Sequence, residues 1–178
     1  MKTYGREADG PDQSRRFVGV SEYAVADAGE TLVAYGLGAC VGIALYDPAA
    51  GVGGLAHPML PRQENTESTN GAKFVDPGVE TLLRETLEAG ATYGNVEGYV
   101  VGGADLLDLP NLPKEASGEN VAVARSELER LGVPIEGESV GGSHGRTVEF
   151  DTETGEIRVV TVQTDTPSTL REPEVSNA

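Results

Sequence analysis

The sequence predicts one strand-rich α/β domain, with mixed sheet or sheets carrying about two main helices. Three observations support this. Short apolar or β-branched runs crowd the first half of the chain, two later segments repeat apolar residues at helical spacing, and strand-like runs return near the end. A chain of 178 residues suits a single domain with a continuous core. The expected ordered domain is 17–163, between tails at 1–16 and 164–178 whose polar, Gly- and Pro-containing sequences read as disordered.

Taken in order, FVGV (17–20), TLVAY (31–35), VGIALY (41–46) and VGGLAH (52–57) are expected strands, spaced closely enough for hairpins. The last two are joined by the turn chemistry of DPAAG at 47–51. Asp76-Pro77 is expected to open the first helix as N-cap and first helical residue. Val79, Leu82, Leu83 and Leu87 then share a face, and Gly90 supplies a left-handed stop. NVEGYVVGGA (95–104) reads as a buried strand running into a glycine turn. A second helix over 118–131 aligns Val121, Ala124, Leu128 and Leu131 and ends at Gly132 and Pro134. VPIEGESV (133–140), RTVEF (146–150) and EIRVVTV (156–162) follow, the last two joined as a hairpin by DTETG.

Charge narrows the function classes. Twenty-nine acidic residues against 13 basic ones, 10 of them Arg, give a net charge of -16. Binding to nucleic acid or to an anionic membrane surface needs a basic patch, and the sequence offers none. The acids read instead as a solvating surface of the kind that keeps a protein soluble in concentrated salt. No run approaches the roughly 20 apolar residues that span a bilayer, and the opening MKTYGREADGPDQSRR lacks the apolar middle of a signal peptide, so the expected location is cytoplasmic. A single cysteine, which can form no intramolecular disulfide, agrees with a reducing compartment.

The chemistry-bearing residues are few. Two histidines and one cysteine cannot build a structural zinc site, so no metal is expected. GLGAC (36–40), GVGG, VGGAD and VGGSHGR match neither the phosphate loop nor the dinucleotide fingerprint. Cys40 and His57 remain. Cys40 follows a strand and a Gly-x-Gly turn, and a turn near Pro48 and Ala49 brings His57 to the same end of the sheet. A neighbouring imidazole can convert a thiol to thiolate and later protonate a leaving group. Gly36, Gly38 and Ala39 would let backbone N–H groups face the oxygen of a tetrahedral intermediate. On residue chemistry alone two readings stay open, a thiol hydrolase and a small buried cysteine beside a loop histidine.

The wording of the sequence then adds a resemblance. GLGACVGIALYDPAAGVGGLAHPMLP (36–61) resembles the signature of the chemoreceptor glutamine deamidases, the CheD family of chemotaxis. The likeness continues through KFVDPGVETLLRETLEAGA (73–91), VGGAD (101–105) and VGGSHGRTVEFDTETGEIRV (140–159). It implies an α/β sandwich similar to bacterial toxin deamidase domains. It also implies a protein-glutamine glutaminase that converts glutamines of methyl-accepting chemoreceptors to glutamates, with Cys40 as nucleophile, His57 as base and acid, and no cofactor. A CheC-type phosphatase is a further partner that the resemblance brings.

The sequence departs from the family pattern at named positions. The family's threonine six residues before the cysteine is Ala34, which leaves a backbone carbonyl, a water or the nearby Thr31 to orient His57. The serine before the cysteine is Ala39, SGEN (117–120) stands where the family has Ile-Gly-x-Arg-Asn, and LLDLP (106–110) replaces a Met-Phe. Ala34 motivates an alternative of another class, a non-catalytic adaptor that binds chemoreceptors or the phosphatase.

Overall fold

A computed structural model describes residues 14–27, 29–64, 71–106, 115–162 and 167–174. Strands β1 (Ser14–Phe17), β2 (Tyr23–Asp27), β3 (Glu30–Leu37), β4 (Val41–Asp47) and β5 (Val52–Ala56) precede helix α1 (Val75–Glu88). After it come β6 (Glu97–Gly102), α2 (Glu115–Arg130), β7 (Ile135–Val140), β8 (Arg146–Asp151), β9 (Ile157–Thr161) and β10 (Pro167–Arg171). They form two five-stranded mixed sheets, ordered β1-β3-β8-β9-β10 and β2-β5-β4-β6-β7. Both helices pack on the second sheet, giving three layers in the order helix, sheet, sheet. The expected α/β sandwich with two main helices is the observed architecture.

Alternation along β4 builds two cores from one strand. Val41, Ile43 and Leu45 face the helices, while Ala44 and Tyr46 face the other sheet and meet Leu32, Phe150, Ile157 and Val159. The Tyr46 and Phe150 rings meet edge to face with centroids 5.4 Å apart. Glycines in β5 make the layers fit. A Cβ on Gly53 would lie 2.5 Å from the Phe150 ring and 3.0 Å from the Leu45 carbonyl, and one on Gly54 would lie 2.8 Å from Leu82 of α1. The DPAAG turn is stapled by Asp47, whose carboxylate accepts the N–H groups of Ala49, Ala50 and, at 2.7 Å, Thr92.

Several expectations change. The chain from β3 to β4 is no hairpin, because β3 belongs to the first sheet and β4 to the second, so GLGAC is a crossing between sheets. The run expected as a strand at 17–20 ends at Phe17, and SEYAVADAG contributes β2, an edge strand paired with β5. The expected tails are shorter. Ser14 to Arg16 belong to β1, parallel to β3, and residues 167–171 form β10, antiparallel to β9. Arg171 fixes β10 by stacking 4.8 Å from the Tyr46 ring centroid and donating to Glu97 at 3.1 Å. Residues 1–13, 163–166 and 175–178 lie outside the described residues. The N-cap of α1 is Phe74 rather than Asp76, whose carboxylate accepts the Gln63 N–H at 3.0 Å. Gly90, with φ of 120°, does supply the left-handed stop.

Substituting Gly53→Ala should cost about 1–3 kcal/mol by overpacking, since an aromatic ring and a main-chain carbonyl flank the site. Chemical denaturation would measure this, and an unchanged midpoint would contradict the close packing.

Candidate active site

The crossing at 36–40 is held by main-chain contacts that only glycine permits. Gly36, with φ of 67°, turns the chain, and the Gly38 N–H donates back to the Gly36 carbonyl at 2.9 Å. The next carbonyls are then captured in succession. Gly38 accepts from Ala104 N–H at 2.7 Å, Ala39 from the Asn120 side chain at 2.8 Å, and Cys40 from Gly103 N–H at 2.9 Å. Gly102 lies so close that a Cβ there would stand 2.4 Å from the Cys40 carbonyl. VGGSHGR supports VGGAD in turn, with Gly141 N–H donating to Gly102 at 3.0 Å and Asp105 N–H to Gly142 at 2.9 Å. The glycine stretches that match no phosphate loop therefore form a nested frame around the cysteine.

His57 follows β5 directly. The ladder pairs Ile43 with Ala56, and the Val41 N–H bond to the Pro58 carbonyl at 3.3 Å continues it, so His57 stands opposite Gly42. Cys40 is two positions further on the same face, the face toward the other sheet. Such diagonal neighbours lie about 7–8 Å apart between Cα atoms, within the combined reach of a thiol and an imidazole. Cys40 is half-buried against the inter-sheet core, and His57 is 1% exposed.

A backbone carbonyl orients the imidazole. His57 Nδ1 lies 3.1 Å from the Val18 oxygen, and as a carbonyl can only accept, Nδ1 carries the proton. Nε2 is left as the basic nitrogen, enclosed and without a partner among the described residues. Val18 is itself fixed, its N–H donating to Val33 of β3 at 2.8 Å, beside Ala34. A tight turn brings it back: Gly19 N–H donates to the Glu22 carboxylate at 2.8 Å, and Ser21 takes a left-handed φ of 65°, which costs about 1–2 kcal/mol. On the other side, His57 N–H donates to Glu22 at 2.9 Å and its carbonyl accepts from Ser21 at 2.8 Å.

The other expected residues fall as follows. Ala34 is buried in the inter-sheet core and supplies no polar group. Thr31 is three residues earlier on β3, hence on the opposite face, where it lines an outer cleft with Arg15, Glu149 and Arg158; it does not reach His57. Gly36 and Gly38 shape the turn, whereas the N–H groups left without another residue as acceptor, among the described residues, are those of Ala39 and Cys40. His144 is away from this ladder and contacts Ser143.

Asn120 of α2 was not anticipated as a site residue. It is fully buried, its Nδ2 donates to Ala39 at 2.8 Å and to Met59 at 3.1 Å, and its Oδ1 has no partner among the described residues. A signal existed, since Asn120 sits on the stripe with Ala124 and Leu128 that faces the core. A polar residue there needs a reason. No group of three or more His, Cys, Asp or Glu among the described residues could hold a metal ion.

Burial sets both protonation states. It pushes the Cys40 thiol above its ordinary range, opposed by the residue's own backbone N–H. It pushes His57 below the ordinary imidazole range, opposed by the Val18 carbonyl and by Glu22. The resting pair is therefore a neutral thiol and a neutral imidazole, not the preformed thiolate that simple proximity suggests. Alkylation of Cys40 by iodoacetamide should accordingly be slow at neutral pH and reach half its maximal rate above the ordinary thiol pKa of about 8.5. A midpoint below that value in a pH series of alkylation rates would contradict the neutral pair.

The model of the family described as CheD chemotactic sensory transduction matches residues 59–161. The "Probable chemoreceptor glutamine deamidase CheD" of Haloarcula marismortui is 38% identical over 169 residues, 93% of this chain and 98% of that protein. Its namesake in Natronomonas pharaonis is 42% identical over 150 residues, 83% of this chain and 89% of its own. A "Probable chemoreceptor glutamine deamidase CheD 2" of Geobacter metallireducens is 42% identical over 151 residues, 82% of this chain and 93% of its own. The first alignment covers nearly the whole chain, and with the family model matching residues 59–161 the chain belongs to the CheD family.

Proposed function

We propose that this chain is a cytoplasmic protein-glutamine deamidase that converts glutamine side chains of chemoreceptors to glutamates through a Cys40 thioester. Relatives named as chemoreceptor glutamine deamidases support the reaction and the substrate. The observation that carries the mechanism is the His57 imidazole, oriented through Nδ1 by Val18 with basic Nε2 unpartnered among the described residues, on the inter-sheet side where Cys40 packs.

Nε2 takes the thiol proton as sulfur attacks the carboxamide carbon. The Ala39 and Cys40 N–H groups meet the oxyanion. Collapse expels ammonia with the proton from Nε2 and leaves a thioester. Water, deprotonated by Nε2, then attacks the acyl carbon, and the thiolate leaves and regains the proton. The net change is water in and ammonia out.

The Val18 carbonyl supplies the acceptor that an adaptor reading, based on Ala34, would lack. The further partner drawn from the family, a CheC-type phosphatase, belongs to this proposal too. Most of the LLDLP departure, Leu107 to Pro110, lies outside the described residues. No helix among those described is long and apolar enough to cross a membrane.

Incubation with a receptor cytoplasmic fragment should release ammonia and raise the fragment's mass by the NH2-to-OH difference at each modified glutamine. Cys40→Ala should abolish this, His57→Ala should lower kcat by roughly 10²–10⁴, and His144→Ala should leave it unchanged. Turnover by Cys40→Ala would end the proposal, and receptor binding without turnover by the wild type would favour the adaptor. Because the imidazole must be neutral, kcat/KM should fall with acidification only below the ordinary imidazole pKa of about 6.5. A limb at or above that value in a pH-rate profile would oppose the assignment of His57.

A further inference from the structure

We infer that Asn120 is a positioning residue that aims the oxyanion-binding N–H of Cys40 by holding the opposite end of the same peptide unit. This role rests on the deamidase reading of Cys40. The Ala39 carbonyl and the Cys40 N–H belong to one planar trans peptide and point in opposite directions. Asn120 Nδ2 captures that carbonyl at 2.8 Å from the α2 side, which turns the N–H away from α2 and toward the thiol. The second Nδ2 proton goes to the Met59 carbonyl at 3.1 Å, two residues beyond His57. One amide thus ties the loop of the nucleophile to the loop of the base.

The orientation of the amide follows from its neighbours. Two carbonyl oxygens can be met only by the NH2 end, so Oδ1 points the other way, where it is buried without a partner. The peptides on either side of the clamp have holders of their own, the Gly38 and Cys40 carbonyls being bound by Ala104 and Gly103. Only the Ala39–Cys40 peptide is held by a side chain, and a substitution can remove that hold without touching Cys40, His57 or Val18.

The test compares two reactions of Cys40 in wild type and Asn120→Ala. Deamidation passes through a tetrahedral oxyanion, whereas alkylation by iodoacetamide displaces iodide and develops none. Asn120→Ala is expected to lose roughly 10–10³-fold in kcat for deamidation with KM and the pH of the acid limb little changed, while its alkylation rate, taken on the high-pH plateau where the thiol is fully ionised, stays within about twofold of wild type. Asn120→Asp keeps the shape without the amide donor, and should show the same split if the alanine variant folds poorly. Wild-type kcat in either folded variant would overturn the role, as would parallel losses in deamidation and alkylation. Absence of deamidation by the wild type would instead remove the reading beneath it.

Discussion

The passage of the chain from one sheet to the other between Leu37 and Val41 is the constraint on which the rest of the site depends. A crossing this short must run close to its neighbours, and close approach without side chains is a property of glycine. Gly102 shows how tight the fit is, since a single Cβ there would stand 2.4 Å from the Cys40 carbonyl. Because the carbonyls at 38 and 39 are both held by groups of the protein, the Ala39 and Cys40 amides at the opposite ends of those peptides are left without another residue as acceptor among those described. The placement of Cys40 against the inter-sheet core is thus a geometric result of how the sheets are joined.

Burial supplies the second half of the chemistry. A thiolate and imidazolium exposed to water would be cheap to form, whereas here burial favours the uncharged form of both groups. The site tolerates unsatisfied groups to achieve this. Nε2 of His57 and Oδ1 of Asn120 are buried without a partner among the described residues, and Ser21 adds its left-handed backbone at about 1–2 kcal/mol.

Much of this fold was readable, and its unreadable parts share physical reasons. β4, β5, β6 and both helices announce themselves by apolar runs or helical stripes because both faces, or one whole face, are buried. The misread segments, β1, β2 and β10, all lie at sheet edges, where half the pairing and much of the burial are missing and the sequence turns polar or small. The change of sheet after β3 leaves no local trace, since strand, short glycine turn and strand would also describe a hairpin. Cys40 and His57 were legible as residue types and through resemblance. Asn120 was legible only as a polar interruption of an apolar stripe, and the acceptor for His57 was not legible as a residue at all.

That acceptor, the Val18 carbonyl, has a genetic consequence. An orienting threonine or aspartate is encoded by its own codon, and a single base change can delete it. A main-chain oxygen is the same in all twenty amino acids, so no replacement at 18 removes it; only a shift of the β1–β2 turn can. The orientation of this imidazole is therefore protected against point mutation at the residue that provides it, and a scan of side chains would record position 18 as core packing while the set of the ring depended on its backbone.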